Sequence, residues 1–258
     1  KWKLGVHCST TAIINLLNYY QIDLDEDLVF GIGKGLGFIY FKYPEFSFPY
    51  ISGRGNNLVE NAIKNLGFSC NAKGGDFDYQ LSRVVARLNN NRPTIIMVDM
   101  NSLDYISKRL LKLNEYYPFS EHHLLVVGYE YCGDNLFLHL QDHLWPTFIL
   151  EAKSLKEAWQ ALRVKPFPLN NYYYEDNLID VKITKSDLKK IVRYAIYSNA
   201  HEFMNPYNPV NTFSGVKGLD SFLRDFCRLH EIYPNVNEAL NMIYLPLQKI
   251  GTGGGNFR

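Results

Sequence analysis

The chain has 258 residues, with 27 lysines and arginines against 26 aspartates and glutamates, and 47% of its residues are hydrophobic. This balance, without a run of basic residues, argues against a protein that binds nucleic acid or an anionic membrane surface. No apolar segment approaches the roughly 20 residues that span a bilayer, and no signal peptide opens the sequence, so we expect a cytoplasmic protein. The sequence starts without Met and stops at GTGGGNFR, so we expect flanking residues to be missing.

The first predicted element is a helix that begins close to Cys8, within GVHCSTTAIINLLNYY. A hydroxyl side chain from residues 9–11 can cap it, and its apolar positions follow the i, i+3, i+4, i+7 spacing. A helix N-terminus favours thiolate over thiol, so Cys8 is a candidate nucleophile. A small buried residue is the alternative interpretation. The four cysteines are widely spaced without a CxxC pair, which predicts free thiols.

A glycine cluster, GIGKGLGF, follows a short predicted helix and precedes an aromatic strand. Its glycine spacing matches neither GxGxxG nor GxxxxGK[ST], so it predicts a tight turn and no nucleotide site. Two capped helices come next, in NNLVENAIKNLGF and DYQLSRVVARLNNN, and the apolar residues 93–100 predict a buried strand.

Residues 122–142 predict a β-hairpin with its turn in YCGDN. Its two ends carry His122 and His123 on one strand and Asp142 on the other, and facing Cβ atoms in such a pair lie about 4.5–5.5 Å apart. Asp142 falls in register with alternating leucines on the core face, where a carboxylate needs a partner. That partner is a histidine N–H, a helix cap or a backbone donor. Either histidine is a candidate base for Cys8.

The segment HLQDH spaces His139 and His143 like the ends of a zinc-protease helix, but Leu140 stands where that motif needs glutamate. On a strand, residues four apart are separated by roughly 13 Å. We therefore predict no metal site.

The remainder of the chain is predominantly helical in its pattern. SLKEAWQALR predicts a helix capped by Ser154, residues 165–177 predict a linker, and three helical patterns follow. We therefore predict an α+β protein of two domains, residues 1–166 and residues 167–258.

The order of these residues resembles the papain-like fold: a cysteine at a helix start, a histidine ahead of an apolar strand ending in Val-Gly-Tyr, and an aspartate after the next strand. The likeness is to double-glycine cysteine peptidases, and more specifically to the butirosin biosynthesis protein H family. HCSTTAIINLLNYYQIDLDEDLVFGIGKGLGFIYF carries the strong part of this likeness. The helical part ending in IGTGGGNFR resembles the uncharacterised domain that follows in that family.

The resemblance implies a papain-like domain, a helical C-terminal domain, and an acyltransferase of antibiotic or other specialised metabolism. It implies an acyl carrier protein or another acyl-thioester donor, a small amine acceptor and no cofactor. Cys8 matches the nucleophile, Asp142 the orienting acid, and the residue six before Gly128, His122, the base, with His123 as its rival.

One feature departs from the papain-like pattern: KWKLGVH has no Gln ahead of the cysteine to help hold an oxyanion. The backbone N–H of Cys8 and a second donor would have to replace it. Two alternatives stay open: a peptidase or thioesterase with the same three residues and water as acceptor, and a non-catalytic binding module.

Overall fold

The computed structural model describes residues 2–42, 46–103, 105–106, 120–143, 145–161, 169–179, 182–206 and 213–249. Contacts group the chain into two compact units. The first is Lys1–Glu26 with Phe68–Lys182, and the second is Asp27–Gly67 with Ile183–Arg258. The predicted domain boundary between residues 166 and 167 stays a prediction. In the contact grouping, the chain leaves the first unit after Glu26 and returns to it at Phe68.

The helices are α1 Cys8–Tyr19, α2 Glu26–Ile32, α3 Leu58–Asn65, α4 Phe77–Asn89, α5 Ala152–Trp159, α6 Lys185–Met204, α7 Gly215–Phe226, α8 Leu229–Ile232 and α9 Val236–Tyr244. The strands are β1 Leu36–Lys42, β2 Pro49–Arg54, β3 Cys70–Lys73, β4 Thr94–Asp99, β5 Glu121–Cys132, β6 Asn135–Gln141, β7 Phe148–Glu151 and β8 Tyr173–Asp176. A 3-10 turn, Met100–Ser102, and a π-helical turn, Leu245–Lys249, complete the described elements.

The first unit is built on a six-stranded sheet in the order β3-β8-β4-β5-β6-β7, with antiparallel pairing throughout. Helices and an antiparallel sheet together confirm the α+β class. Helix α1 packs on β4 and β5. One face of the sheet carries a buried apolar cluster, in which Leu124, Val126 and Leu140 of the hairpin pack with Trp159 of α5.

The predicted linker, residues 165–177, is wrong where it can be compared with the structure. Residues 162–168 lie outside the described residues, but Tyr173–Asp176 form β8, which pairs with β3 along its length and with β4 at Ile96. Tyr173 and Tyr174 are buried, and Arg87 of α4 binds the Asp176 carboxylate at 2.5 Å. Long-range pairing overrides the loop-like local composition of this segment.

The predicted hairpin is confirmed, with β5 and β6 joined through Gly133 and Asp134. Its register shifts between Val126 and Gly128: Gly128 pairs with His139, whereas Val126 pairs with Leu140. One residue of β5 is therefore extra at this point, which is the definition of a β-bulge.

Two predicted helix caps are wrong, although both helices exist. The N-cap of α1 is His7, whose ring accepts a hydrogen bond from the Thr10 N–H at 3.3 Å. Helix α5 begins at Ala152 after Glu151, so Ser154 lies inside the helix instead of capping it. Serine and threonine are common caps, but their positions just inside a first turn mimic the same sequence signal.

In the second unit, β1 and β2 form an antiparallel pair, and α6, α7 and α9 match the three predicted C-terminal helical patterns. The glycine cluster makes the predicted tight turn between α2 and β1, with Lys34 in the left-handed region at φ 56°. A cavity of about 480 Å³ within this unit is lined by Lys34 and Glu202, which form an ion pair at 2.6 Å. No helix among the described residues is long and apolar enough to cross a membrane.

Candidate active site

Cys8 is the first residue of α1 and is partly exposed. The first N–H groups of an α-helix have no acceptor within the helix, so they carry a partial positive charge that favours an anion nearby. This is the environment predicted for Cys8 from the sequence. The other thiols differ from it in exposure: Cys70 is buried, and Cys132 and Cys227 are exposed.

Glu26 anchors the chain that leads into Cys8. Its carboxylate accepts hydrogen bonds from the N–H groups of Val6 and His7 at 3.0 and 3.1 Å. The same carboxylate accepts from the hydroxyls of Thr10 and Thr11 at 2.6 and 3.1 Å. This role was not predicted from the sequence, because an acidic residue at the start of a helix is already explained by its interaction with the helix N-terminus.

His122 and Asp142 are hydrogen bonded, with 3.0 Å between His122 Nε2 and Asp142 Oδ2. Both side chains are buried, and both lie at the same end of the hairpin, His122 in β5 and Asp142 directly after β6. Of the partners considered for the Asp142 carboxylate, the structure therefore shows a histidine. With Nε2 engaged, Nδ1 is the His122 nitrogen left for Cys8.

Two further side chains hold the Asp142 carboxylate. The Tyr105 hydroxyl donates to Oδ2 at 2.9 Å, and His143 Nδ1 lies 2.5 Å from Oδ1. Burial and the Asp142 charge raise the pKa of Tyr105 well above its usual range, so this phenol remains a donor. Neither residue was assigned to the site from the sequence. The neighbour relation of His143 to Asp142 was visible in the sequence, whereas the Tyr105 contact depends on the fold.

The charges favour a thiolate and an imidazolium. Burial of the Cys8 thiol opposes ionisation, but the charge of His122, hydrogen bonds from His122 and His123, and the charge of His7 hold the pKa of Cys8 well below its usual range. Burial likewise opposes the cationic form of His122, yet Asp142 and the Cys8 thiolate raise its pKa to about 10. Burial also disfavours the Asp142 carboxylate, but His122 and His143 keep the pKa of Asp142 far below its usual range.

His123, the rival to His122, has different partners. Its Nδ1 lies 2.9 Å from the Ser9 hydroxyl, and its Nε2 lies 3.1 Å from the Tyr174 hydroxyl. Its side chain is buried. Adjacent residues of a strand point to opposite faces, which explains why the two histidines meet different groups.

One group of described side chains has the composition and spacing of a metal site: His122, Asp142 and His143, whose ligand atoms lie within 4.8 Å of one another. A cation held there would replace the hydrogen bonds that join these residues to each other. His139, which the sequence motif paired with His143, is not a member of this group.

The structure thus brings the side chains of Cys8, His122 and Asp142 together, and it places His123 beside them in a second hydrogen-bonded set. The catalytic roles of these residues stay predictions. Chemically, the arrangement offers a thiolate, a proton carrier next to it and a carboxylate that orients the carrier.

The chain is similar to two protein families. Residues 7–141 match the family described as Butirosin biosynthesis protein H, N-terminal, and this match contains both Cys8 and His122. Residues 153–258 match a domain of unknown function, DUF4872. No curated protein is significantly similar to the chain. The two matches confirm the resemblance found in the sequence.

Proposed function

Because the chain belongs to the butirosin biosynthesis protein H family, we propose that it is a cysteine-dependent acyltransferase of specialised-metabolite biosynthesis. It takes an acyl group from a thioester, carried by an acyl carrier protein or a similar donor, and passes it to a small amine. The observation that carries this proposal is the hydrogen-bonded His122–Asp142 pair next to the Cys8 thiol, whose pKa His122 lowers.

In the first step, the Cys8 thiolate attacks the carbonyl carbon of the donor thioester. The oxyanion that forms is stabilised by N–H groups of the first turn of α1, beginning with that of Cys8. As the new C–S bond forms and the donor C–S bond breaks, the departing thiolate takes a proton from the His122 imidazolium. The products are an acyl-Cys8 thioester, a free donor thiol and a neutral His122.

In the second step, the amine attacks the acyl-Cys8 carbonyl. Neutral His122 accepts the proton that the amine gives up as the C–N bond forms. The C–S bond to Cys8 breaks, which restores the thiolate and the imidazolium. Throughout both steps, Asp142 keeps His122 in one tautomer and orientation, as the carboxylate does in other nucleophile–histidine–acid sites.

A thioester donor suits this site because the acyl group arrives already activated, so amide formation needs no nucleotide. The rival function, a peptidase or thioesterase, shares the first covalent intermediate and differs only in the acceptor. The acyltransferase would bind the amine so that water is excluded from the acyl-Cys8 bond, whereas the peptidase or thioesterase would admit water to it. A non-catalytic binding module would have no use for a partly exposed cysteine with a lowered pKa.

The test is intact-mass analysis after incubation with acyl-pantetheine thioesters of different chain lengths, with and without a panel of primary amines. We expect an acyl adduct on Cys8 in the absence of amine, and its conversion to a free amide when an accepted amine is added. Cys8→Ala should abolish the adduct, whereas Cys132→Ala, a control at an exposed thiol, should retain it. Hydrolysis at the same rate with every amine present would favour the thioesterase, and an adduct surviving in Cys8→Ala would refute the proposal.

A further inference from the structure

We propose that His123 and Tyr174 are positioning residues, which hold a hydrogen-bond donor toward the Cys8 sulfur independently of His122 and Asp142. This inference rests on the proposed role of Cys8 as nucleophile. It assigns a function to His123, which takes no part in the proposed acyl-transfer steps.

The contacts form a continuous chain from β8 to the start of α1. The Tyr174 hydroxyl lies 3.1 Å from His123 Nε2, and His123 Nδ1 lies 2.9 Å from the Ser9 hydroxyl. The Ser9 hydroxyl in turn lies 3.8 Å from the Cys8 sulfur, within the range of a hydrogen bond to sulfur. Ser9, His123 and Tyr174 are each at most 5% exposed, so water competes little for these bonds.

The direction of these hydrogen bonds follows from which atoms of each side chain can donate a hydrogen. A neutral imidazole has one N–H donor and one bare nitrogen, and the partner of one nitrogen sets the state of the other. When the Tyr174 O–H donates to Nε2, the ring proton must sit on Nδ1, facing Ser9. Ser9 then accepts from His123, and its own hydrogen is free to point at the sulfur.

A thiolate selects this direction over the reverse one. Hydrogen bonds to an ionised acceptor are about twice as strong as those between neutral groups. In the reverse direction, Ser9 donates to His123 and presents lone pairs to the anion. The thiolate therefore orders the hydroxyl and ring hydrogens of the chain toward itself, and a hydrogen bond from the His123 side chain to Cys8 also lowers the pKa of Cys8.

This second donor has a distinct use during turnover. The proton on His122 leaves with the donor thiol and returns from the amine, so its charge changes in each step. No proton has to move along the Tyr174, His123 and Ser9 chain. Its contribution to the stability of the thiolate is therefore constant, and it also fixes the side-chain direction of Cys8.

Other titratable groups face Cys8 and His123 and must be kept unchanged in the test. Around Cys8 these are His122 with Asp142, His7, and Tyr105. Glu26 lies against the first turn of α1, and Glu121 Oε1 lies 3.9 Å from His123 Nε2.

The experiment is the pH dependence of Cys8 alkylation by iodoacetamide, measured by peptide mass analysis in the full-length chain. We expect Tyr174→Phe and His123→Leu each to raise the apparent pKa of Cys8 by about one unit, the usual effect of losing a hydrogen bond to a charged group. His123→Asn, which retains an N–H donor near the position of Nδ1, should recover most of the shift. Tyr129→Phe is the matched control, because it removes a phenol bonded to Asn89 at 2.6 Å on the same sheet.

An unchanged pKa in Tyr174→Phe, or equal shifts in His123→Leu and His123→Asn, would overturn the inference. If one variant unfolds, as judged by circular dichroism, the comparison of the remaining variants decides. Acyl-adduct formation with the wild-type chain tests the proposed function separately: an adduct with no response to Tyr174→Phe refutes only the positioning role. A response without any adduct refutes only the acyltransferase.

Discussion

Asp142 lies on the same face of the sheet as His122 because the register of the hairpin shifts by one residue between Val126 and Gly128. If the Gly128–His139 register continued along both strands without the shift, Asp142 would lie opposite Leu125. Leu125 is on the same face of the sheet as His123. With the shift, Val126 pairs with Leu140. Two residues further along each strand, Asp142 therefore lies opposite Leu124, which is on the same face of the sheet as His122. The bulge therefore decides which histidine meets the carboxylate.

Removing the Asp142 charge should impair the proposed chemistry more than the fold. In Asp142→Asn the amide still accepts hydrogen bonds but no longer stabilises the imidazolium, so the pKa of His122 should fall from about 10. We expect the rate of Cys8 acylation to drop by up to about 10⁴-fold, the loss known for an orienting aspartate replaced by asparagine in a serine protease. The measurement is single-turnover acylation of Cys8.

Asp134→Asn serves as the control for this variant, since Asp134 is an exposed acid in the turn of the same hairpin. It should leave the acylation rate unchanged. Equal rates in Asp142→Asn and Asp134→Asn would show that Asp142 does not orient His122 during the reaction.

Breaking the buried Arg87–Asp176 ion pair should test whether β8 is a structural part of the first unit or only a linker. Arg87 binds the Asp176 carboxylate and the Thr94 hydroxyl, at 2.5 and 2.8 Å. Arg87→Met leaves a buried carboxylate without its cation, and we expect a loss of about 3–5 kcal/mol in the free energy of unfolding. Urea denaturation measures this change.

A second substitution separates the cost of leaving the Asp176 charge unpaired from the cost of losing the Arg87 side chain. Arg87→Met combined with Asp176→Asn should regain much of the lost stability, because the unpaired charge is then gone. Arg83→Met, which breaks the neighbouring exposed pair with Glu175, should cost far less. A small effect of Arg87→Met alone would contradict the structural role of β8.

The thiolate–imidazolium pair predicts a plateau in stability against pH. The raised pKa of His122, about 10, contributes stability that is complete below the unfolded value near 6.5 and is lost as pH rises through the folded value. The lowered pKa of Cys8 contributes stability that is complete above the unfolded value near 8.5 and is lost as pH falls. Between about pH 6.5 and 8.5 the two slopes cancel, since folded and unfolded chains bind the same number of protons at these residues.

Outside that window the pair should make stability fall in both directions, by up to about 1.4 kcal/mol per pH unit. The test compares the free energy of unfolding of the wild-type chain with that of Cys8→Ala from about pH 5 to about pH 11, so that the range passes the His122 pKa of about 10. The difference between the two curves should rise with pH at the acidic end, because the unfolded wild-type chain still binds the Cys8 proton that the folded chain has released. It should fall again as pH approaches about 10, because there only the wild-type His122, paired with the Cys8 thiolate, still holds its proton. A difference that does not vary with pH would mean that no ion pair forms.

Local patterns predicted the elements that the proposed chemistry needs. The helix that starts at Cys8, the buried strand β4 and the hairpin were each encoded by periodicity and turn residues within about ten positions. The same patterns placed His122 and Asp142 at neighbouring strand ends.

What the sequence did not reveal depends on contacts between distant residues. Tyr173–Asp176 look like a loop because the flanking proline and asparagines dominate locally, and only pairing with β3 and β4 makes them a strand. The hydroxyls of Tyr105 and Tyr174 reach Asp142 and His123 across the fold. The β-bulge between Val126 and Gly128 could not be predicted from the local sequence, because Val127 is a residue type common in regular strands.

The most direct test of the account is whether Cys8 is a thiolate at neutral and mildly acidic pH. Iodoacetamide labelling at pH 6, resolved by peptide mass analysis, should modify Cys8 many times faster than the exposed thiols Cys132 and Cys227. The advantage should shrink as pH rises and the other thiols ionise. Labelling of Cys8 at the rate of an ordinary thiol, with the same rise toward alkaline pH as Cys132, would contradict the activation of Cys8 by His122.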